Sequence, residues 1–125
     1  MASILIVDDS TTMRQMVSFT LTSAGHKVLE AESGDKAILL AKSNTFDLVI
    51  ADVNMPGKTG LALIEELRAI KNYRNTPILI LANGATDENI QKAQALGASG
   101  WIAKPFTPES LLGTINQVLV DQYVH

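Results

Sequence analysis

Two adjacent carboxylates, Asp8 and Asp9, follow directly on the apolar run Ile4–Val7. A third, Asp52, ends the run Leu48–Asp52, and Lys104 with Pro105 comes straight after Gly100–Ala103. Like charges side by side cost free energy unless a cation stands among them or water covers them. Three carboxylates on one rim would make an all-oxygen site for a hard cation. Mg²⁺ suits it, because that ion takes one or two carboxylates, keeps several waters and binds phosphate oxygens. Lys104 would add a mobile positive charge opposite the metal. Plainer readings exist for each residue alone. An Asp-Asp pair ahead of a helix also serves as an N-cap favoured by the helix dipole. An Asp at a strand end is often a turn residue, and a Lys before Pro an ordinary surface group. Their joint occurrence at three separate strand ends favours a site.

The elements that must position these groups alternate along the chain. Short β-type runs are Ile4–Val7, Lys27–Ala31, Leu48–Asp52, Pro77–Ala82 and Gly100–Ala103. Three are nearly continuous in apolar residues, as expected of parallel strands covered on both faces. Helical stripes lie between them. Met13, Met16, Val17, Thr20, Leu21 and Ala24 share one face, and Gly25 suits the C-terminal cap. Ala37, Ile38 and Ala41 form a weaker stripe; Leu61, Ile64, Leu67 and Ile70 another; Leu111, Leu112, Ile115, Val118 and Leu119 the last. Thr86 to Ala95 reads as the least apolar helix, held by Ile90, Ala93 and Leu96. Ser33 and Thr107 are candidate N-caps, the second followed by Pro108 at the first helical position. The expectation is an α/β fold, a doubly wound (βα)₅ parallel sheet with helices on both faces and strand order 2-1-3-4-5. In such sheets the reactive crevice lies beyond the carboxyl ends of the strands. That is where Asp8, Asp9, Asp52 and Lys104 would meet.

Composition narrows the function further. A chain of 125 residues suits one domain. The formal charge of −3 and the lack of a basic block argue against nucleic acid. Without cysteine there is no disulfide framework, thiolate metal site or thiol nucleophile, which fits the cytoplasm. The start Met1-Ala2-Ser3 lacks the charged and apolar stretches of a signal peptide, and no apolar run approaches the ~20 residues of a membrane span.

"VDDS", "DLVIADVNMPGKTG" and "GASGWIAKPF" together resemble the receiver domain of two-component response regulators, and among them the single-domain chemotaxis regulators of the CheY type. The resemblance covers essentially the whole chain and leaves no room for an output domain. It implies a flavodoxin-like fold and a signalling protein rather than an enzyme. Asp52 would accept a phosphoryl group from a histidine kinase. Asp9, Asp52 and the backbone carbonyl of Asn54 would bind Mg²⁺ directly, with Asp8 acting through water. Lys104 would contact the phosphoryl group, and the bond before Pro105 would be cis. The expected output is a changed surface on the fourth helix, fifth strand and fifth helix of a monomer. Its target would be a protein such as a flagellar motor switch component.

The chain departs from the family at the end of the fourth strand, where Ala82 stands in place of the usual Thr or Ser. The family uses that hydroxyl to bond the phosphoryl group and draw the next loop inward, with an aromatic partner that here is Trp101. Asn83 offers a substitute donor, and Gly84 would loosen the loop. An impaired receiver serving as phosphate sink or constitutive binding module is therefore an alternative. Two other rivals fit less well. A haloacid-dehalogenase-type phosphatase wants a second Asp two residues after the nucleophile, where this chain has Asn54. A flavodoxin-like cofactor binder wants a phosphate-cradling loop where Asp8 and Asp9 would repel the phosphate.

Overall fold

The computed structural model describes residues 2–55 and 60–124, with side chains through residue 120. Five parallel strands pair in the order β2-β1-β3-β4-β5: β1 Ser3–Val7, β2 Lys27–Ala31, β3 Leu48–Asp52, β4 Ile78–Ala82 and β5 Gly100–Ala103. The helices are α1 Thr11–Ser23, α2 Gly34–Ser43, α3 Gly60–Ala69, α4 Asn89–Ala95 and α5 Pro108–Val124, with a 3₁₀ turn over Lys71–Tyr73. The expected fold class and strand order are those observed.

Every residue of β3 and β4 is buried, because helices cover both faces. Leu5, Val7, Val49, Ala51, Ile80 and Ala82 pack with Leu63, Ile64, Leu67 and Ala93 on one side. Ile4, Ile6, Ile50, Leu79, Leu81 and Ile102 pack with Val17, Leu21, Leu111 and Ile115 on the other. The two sets alternate along each strand, as period-two geometry requires. Register aligns the strand ends: Val7 pairs with Ala31 and Ala51, Asp52 with Leu81, and Ala82 with Ala103. The residues that follow β1 and β5 thus emerge on the same edge as Asp52.

Caps settle several boundaries. Ser33 accepts from the Lys36 amide at 3.2 Å, and Thr107 Oγ1 from the Ser110 amide at 3.0 Å, both as expected. Gly25 takes a positive φ of 93° just past α1. The helix expected over Thr86–Ala95 begins instead at Asn89, because the Asp87 carboxylate accepts the Asn89 amide at 2.9 Å and stops the helix there. Met16, placed on the buried face of α1 by its spacing, is exposed; Val17 and Leu21 carry the burial. Arg68 is a tie that no local pattern announces. It donates to the carbonyls of Tyr73, Thr76 and Gly97 at 2.5, 2.7 and 2.7 Å, joining α3 to the approaches of β4 and β5.

Candidate phosphoacceptor site

Asp8 leaves β1 fully buried. Its amide donates to the Ala31 carbonyl at 3.1 Å, and its Oδ1 accepts the Ser10 amide at 2.9 Å. Its carbonyl accepts from Arg14 Nη1 at 2.7 Å. Ser10, not either aspartate, caps α1 by accepting the Met13 amide at 3.2 Å. The plain capping role for Asp8-Asp9 is therefore taken by a neighbour. One carboxylate oxygen each from Asp8, Asp9 and Asp52 lies within 4.8 Å of the others, with Asp9 exposed and the other two buried.

Asp52 is 5% exposed and both of its oxygens are engaged. Oδ1 accepts the Asn54 amide at 2.8 Å, and Oδ2 pairs with Lys104 Nζ at 2.7 Å. Lys104 comes directly after β5, its bond to Pro105 is cis, as expected, and its amide donates to the Ala82 carbonyl at 2.8 Å. Gly60, the first residue of α3, closes in from the other side. A Cβ there would collide with the Asp52 carbonyl oxygen and stand 2.7 Å from Val53 Cα, so only glycine fits. Pro56, Gly57, Lys58 and Thr59 of the quoted motif lie outside the described residues.

The donor set fits a hard divalent cation. Asp8 Oδ2 is, among the described residues, a buried side-chain oxygen without a hydrogen-bond partner, and Asp8 is one of the three clustered carboxylates. Burial pushes the Asp8 carboxyl up; the Ser10 amide lowers it, the Asp52 charge raises it, Lys104 lowers it and Asp9 raises it. Because the folded value lies above the unfolded one, ionising Asp8 costs stability as pH rises out of the carboxylate range. At neutral pH and without divalent ions, Asp8→Asn should therefore melt higher than the parent, because it removes a buried negative charge beside Asp52 and Asp9. The gap should narrow as pH falls through the carboxylate range. Mg²⁺ at ten times its dissociation constant should add about 1.4 kcal/mol to the parent and less to the variant. Melts in which the parent equals or exceeds the variant at every pH would count against this.

The β4–α4 loop supplies a network that motif reading missed. The Asp87 carboxylate accepts the amides of Asn83 at 3.0 Å and Asn89 at 2.9 Å, and these N–H groups hold it below the usual carboxylate range. Asn54 Nδ2 reaches Asp87 at 3.4 Å, and Asn89 Nδ2 donates to Asn54 Oδ1 at 3.2 Å. Asn83 thus takes part through its backbone, while its side chain is exposed. The signal available in the sequence was Asp87 itself, a strong capping residue two positions before the helix. Ala82 is fully buried, its methyl packed in the core cluster with Ile80, Ile90 and Ala93. Trp101 is half-buried and lines a cleft of about 580 Å³ with Ala85, Asp87 and Ile90.

Residues 4–116 match the response regulator receiver domain family. The chemotaxis protein CheY homolog of Campylobacter jejuni is 41% identical over 118 residues, covering 93% of this chain and 91% of that protein. Chemotaxis protein CheY-3 of Vibrio cholerae is 37% identical over 116 residues, covering 92% and 89%. The solved structure of the V. cholerae chemotaxis response regulator CheY4 superposes with a TM-score of 0.90 at 46% identity, covering 94% of this chain and 98% of that one. No helix among the described residues is long and apolar enough to cross a membrane. An acidic cluster at the strand ends, a lysine paired to the central aspartate and a match over most of the chain lead to one assignment: the protein belongs to the response regulator receiver family.

Proposed function

We propose that this chain is a stand-alone chemotaxis response regulator, a cytoplasmic monomer that accepts a phosphoryl group from a histidine kinase onto Asp52. The observation that carries the reading is the place of Asp52: nearly buried, ion-paired to Lys104 at 2.7 Å and beside Asp8 and Asp9. The names of the CheY relatives support the chemotaxis setting. An Asp52 oxygen attacks phosphorus, the bond from phosphorus to the donor nitrogen breaks, and the electron pair leaves with the histidine. Lys104, released from its carboxylate partner, then pairs with a phosphoryl oxygen and offsets the charge there. Asp9, Asp52 and the Asn54 carbonyl would hold Mg²⁺, with Asp8 behind a water. When bound, the ion supplies charge neutralisation for the transferred group. The signal would leave through α4, β5 and α5 to a target such as a flagellar motor switch protein.

The buried methyl of Ala82 favours a second reading, a receiver that takes up phosphate yet switches incompletely, as a phosphate sink or constitutive binding module. The first test is shared. Incubation with a small phosphodonor and Mg²⁺, read by intact mass, should add one phosphoryl group that disappears with a chelator present. No added mass under any donor would overturn the first reading and the phosphate sink, leaving the constitutive binding module.

A further inference from the structure

We propose that Arg14 and Glu30 form a positioning pair for the acidic pocket: Glu30 holds the Arg14 guanidinium on the backbone of Asp8 and away from the carboxylates, leaving the pocket open to a cation. This rests on the metal reading above. Arg14 stands in the first turn of α1, immediately beyond the Asp8-Asp9-Ser10 turn. A long cationic side chain beside three clustered carboxylates is their natural counter-ion, and in the pocket it would exclude a metal. It is directed elsewhere. Its Nε donates to Glu30 Oε1 at 3.0 Å and its Nη1 to the Asp8 carbonyl at 2.7 Å. The guanidinium is rigid and planar, so two bonds from different nitrogens fix its orientation. Its side chain is only 14% exposed.

Glu30 comes from β2, where it pairs in register with Ile6 of β1, two residues before Asp8. Its carboxylate draws the cation sideways, along the sheet edge, and neutralises it there. The bond to the Asp8 carbonyl also completes the fixing of that residue. The Asp8 amide, carbonyl and Oδ1 all have partners, while Oδ2 has none.

The experiment is a Mg²⁺ titration by calorimetry on the full chain, with melts as a second readout, for the parent, Glu30→Ala, Arg14→Ala and the double variant. Glu30→Ala should bind Mg²⁺ about tenfold more weakly, because the freed guanidinium turns into the carboxylates. Adding Arg14→Ala to it should tighten binding again, toward the value of Arg14→Ala alone. A pair that only stabilised the fold would not produce that reversal. If Glu30→Ala binds like the parent, or the double variant is no tighter than Glu30→Ala, the inference is wrong while the metal reading stands. If the parent itself shows neither heat nor melt shift with Mg²⁺, the metal reading falls and this inference with it.

Discussion

Asp52→Asn should abolish phosphoryl uptake altogether. An amide cannot form the acyl phosphate, because its oxygen carries no ionised lone pair for attack on phosphorus. The substitution leaves the local backbone contacts in place. The Asn54 amide keeps an oxygen acceptor, and Gly60 still packs on the unchanged backbone of residues 52 and 53. Lys104 loses its ionic partner, while Asp8 and Asp9 lose a like charge. Melts therefore accompany the mass measurement, so that loss of uptake is read on a folded protein. Asp8→Asn, by contrast, should slow uptake without ending it, since that residue carries no bond to phosphorus. Uptake by Asp52→Asn at the parent rate would mean that another side chain is the acceptor.

Ala82→Thr should enlarge the phosphorylation-induced change at Trp101 and tighten phosphorylation-dependent target binding. The reason is the missing hydroxyl. A hydrogen bond to a charged group contributes roughly 1.5–3 kcal/mol. Without that differential energy the active-to-inactive ratio falls about tenfold to a hundredfold, since ~1.4 kcal/mol is one decade. Ala82 ends β4, and its carbonyl accepts the amide of Lys104, the ion-pair partner of Asp52. Trp101 is two residues before Ala103 on the neighbouring strand and packs against the core cluster that includes Ala82. Trp emission, or amide shifts over residues 82–104, with and without a phosphoryl mimic, would compare the two proteins. Overpacking a fully buried site costs about 1–3 kcal/mol, so melts are needed alongside. A full shift in the Ala82 protein that Ala82→Thr does not enlarge would make the hydroxyl dispensable. The link from Asn54 through Asp87 to Asn83 and Asn89 would then be the route to α4.

The sheet was legible because β1, β3 and β4 are covered on both faces and so read as unbroken apolar runs. The central site was legible because β1 runs into Asp8, β3 ends at Asp52 and β5 runs into Lys104, and a parallel sheet gathers these ends on one edge. What stayed hidden depends on partners far away in sequence. Arg14 meets Glu30 across sixteen residues. Arg68 serves carbonyls on two different loops, and nothing local distinguishes it from a surface arginine of α3. The start of α4 was misplaced because a seven-residue helix with only Ile90 and Ala93 buried leaves too little period to read. Ser10 was overlooked as a cap because the two aspartates before it offered the same chemistry.

Gly60 gives position 60 an unusual kind of importance. It has no side chain to bind, donate or titrate, yet the Asp52 carbonyl oxygen would collide with any Cβ placed there. The helix can begin there only by fitting against the backbone of Asp52 and Val53. Substitution at this position would thus register as a defect in the site while removing no functional group, so a screen for lost activity would report a residue that takes no part in the reaction.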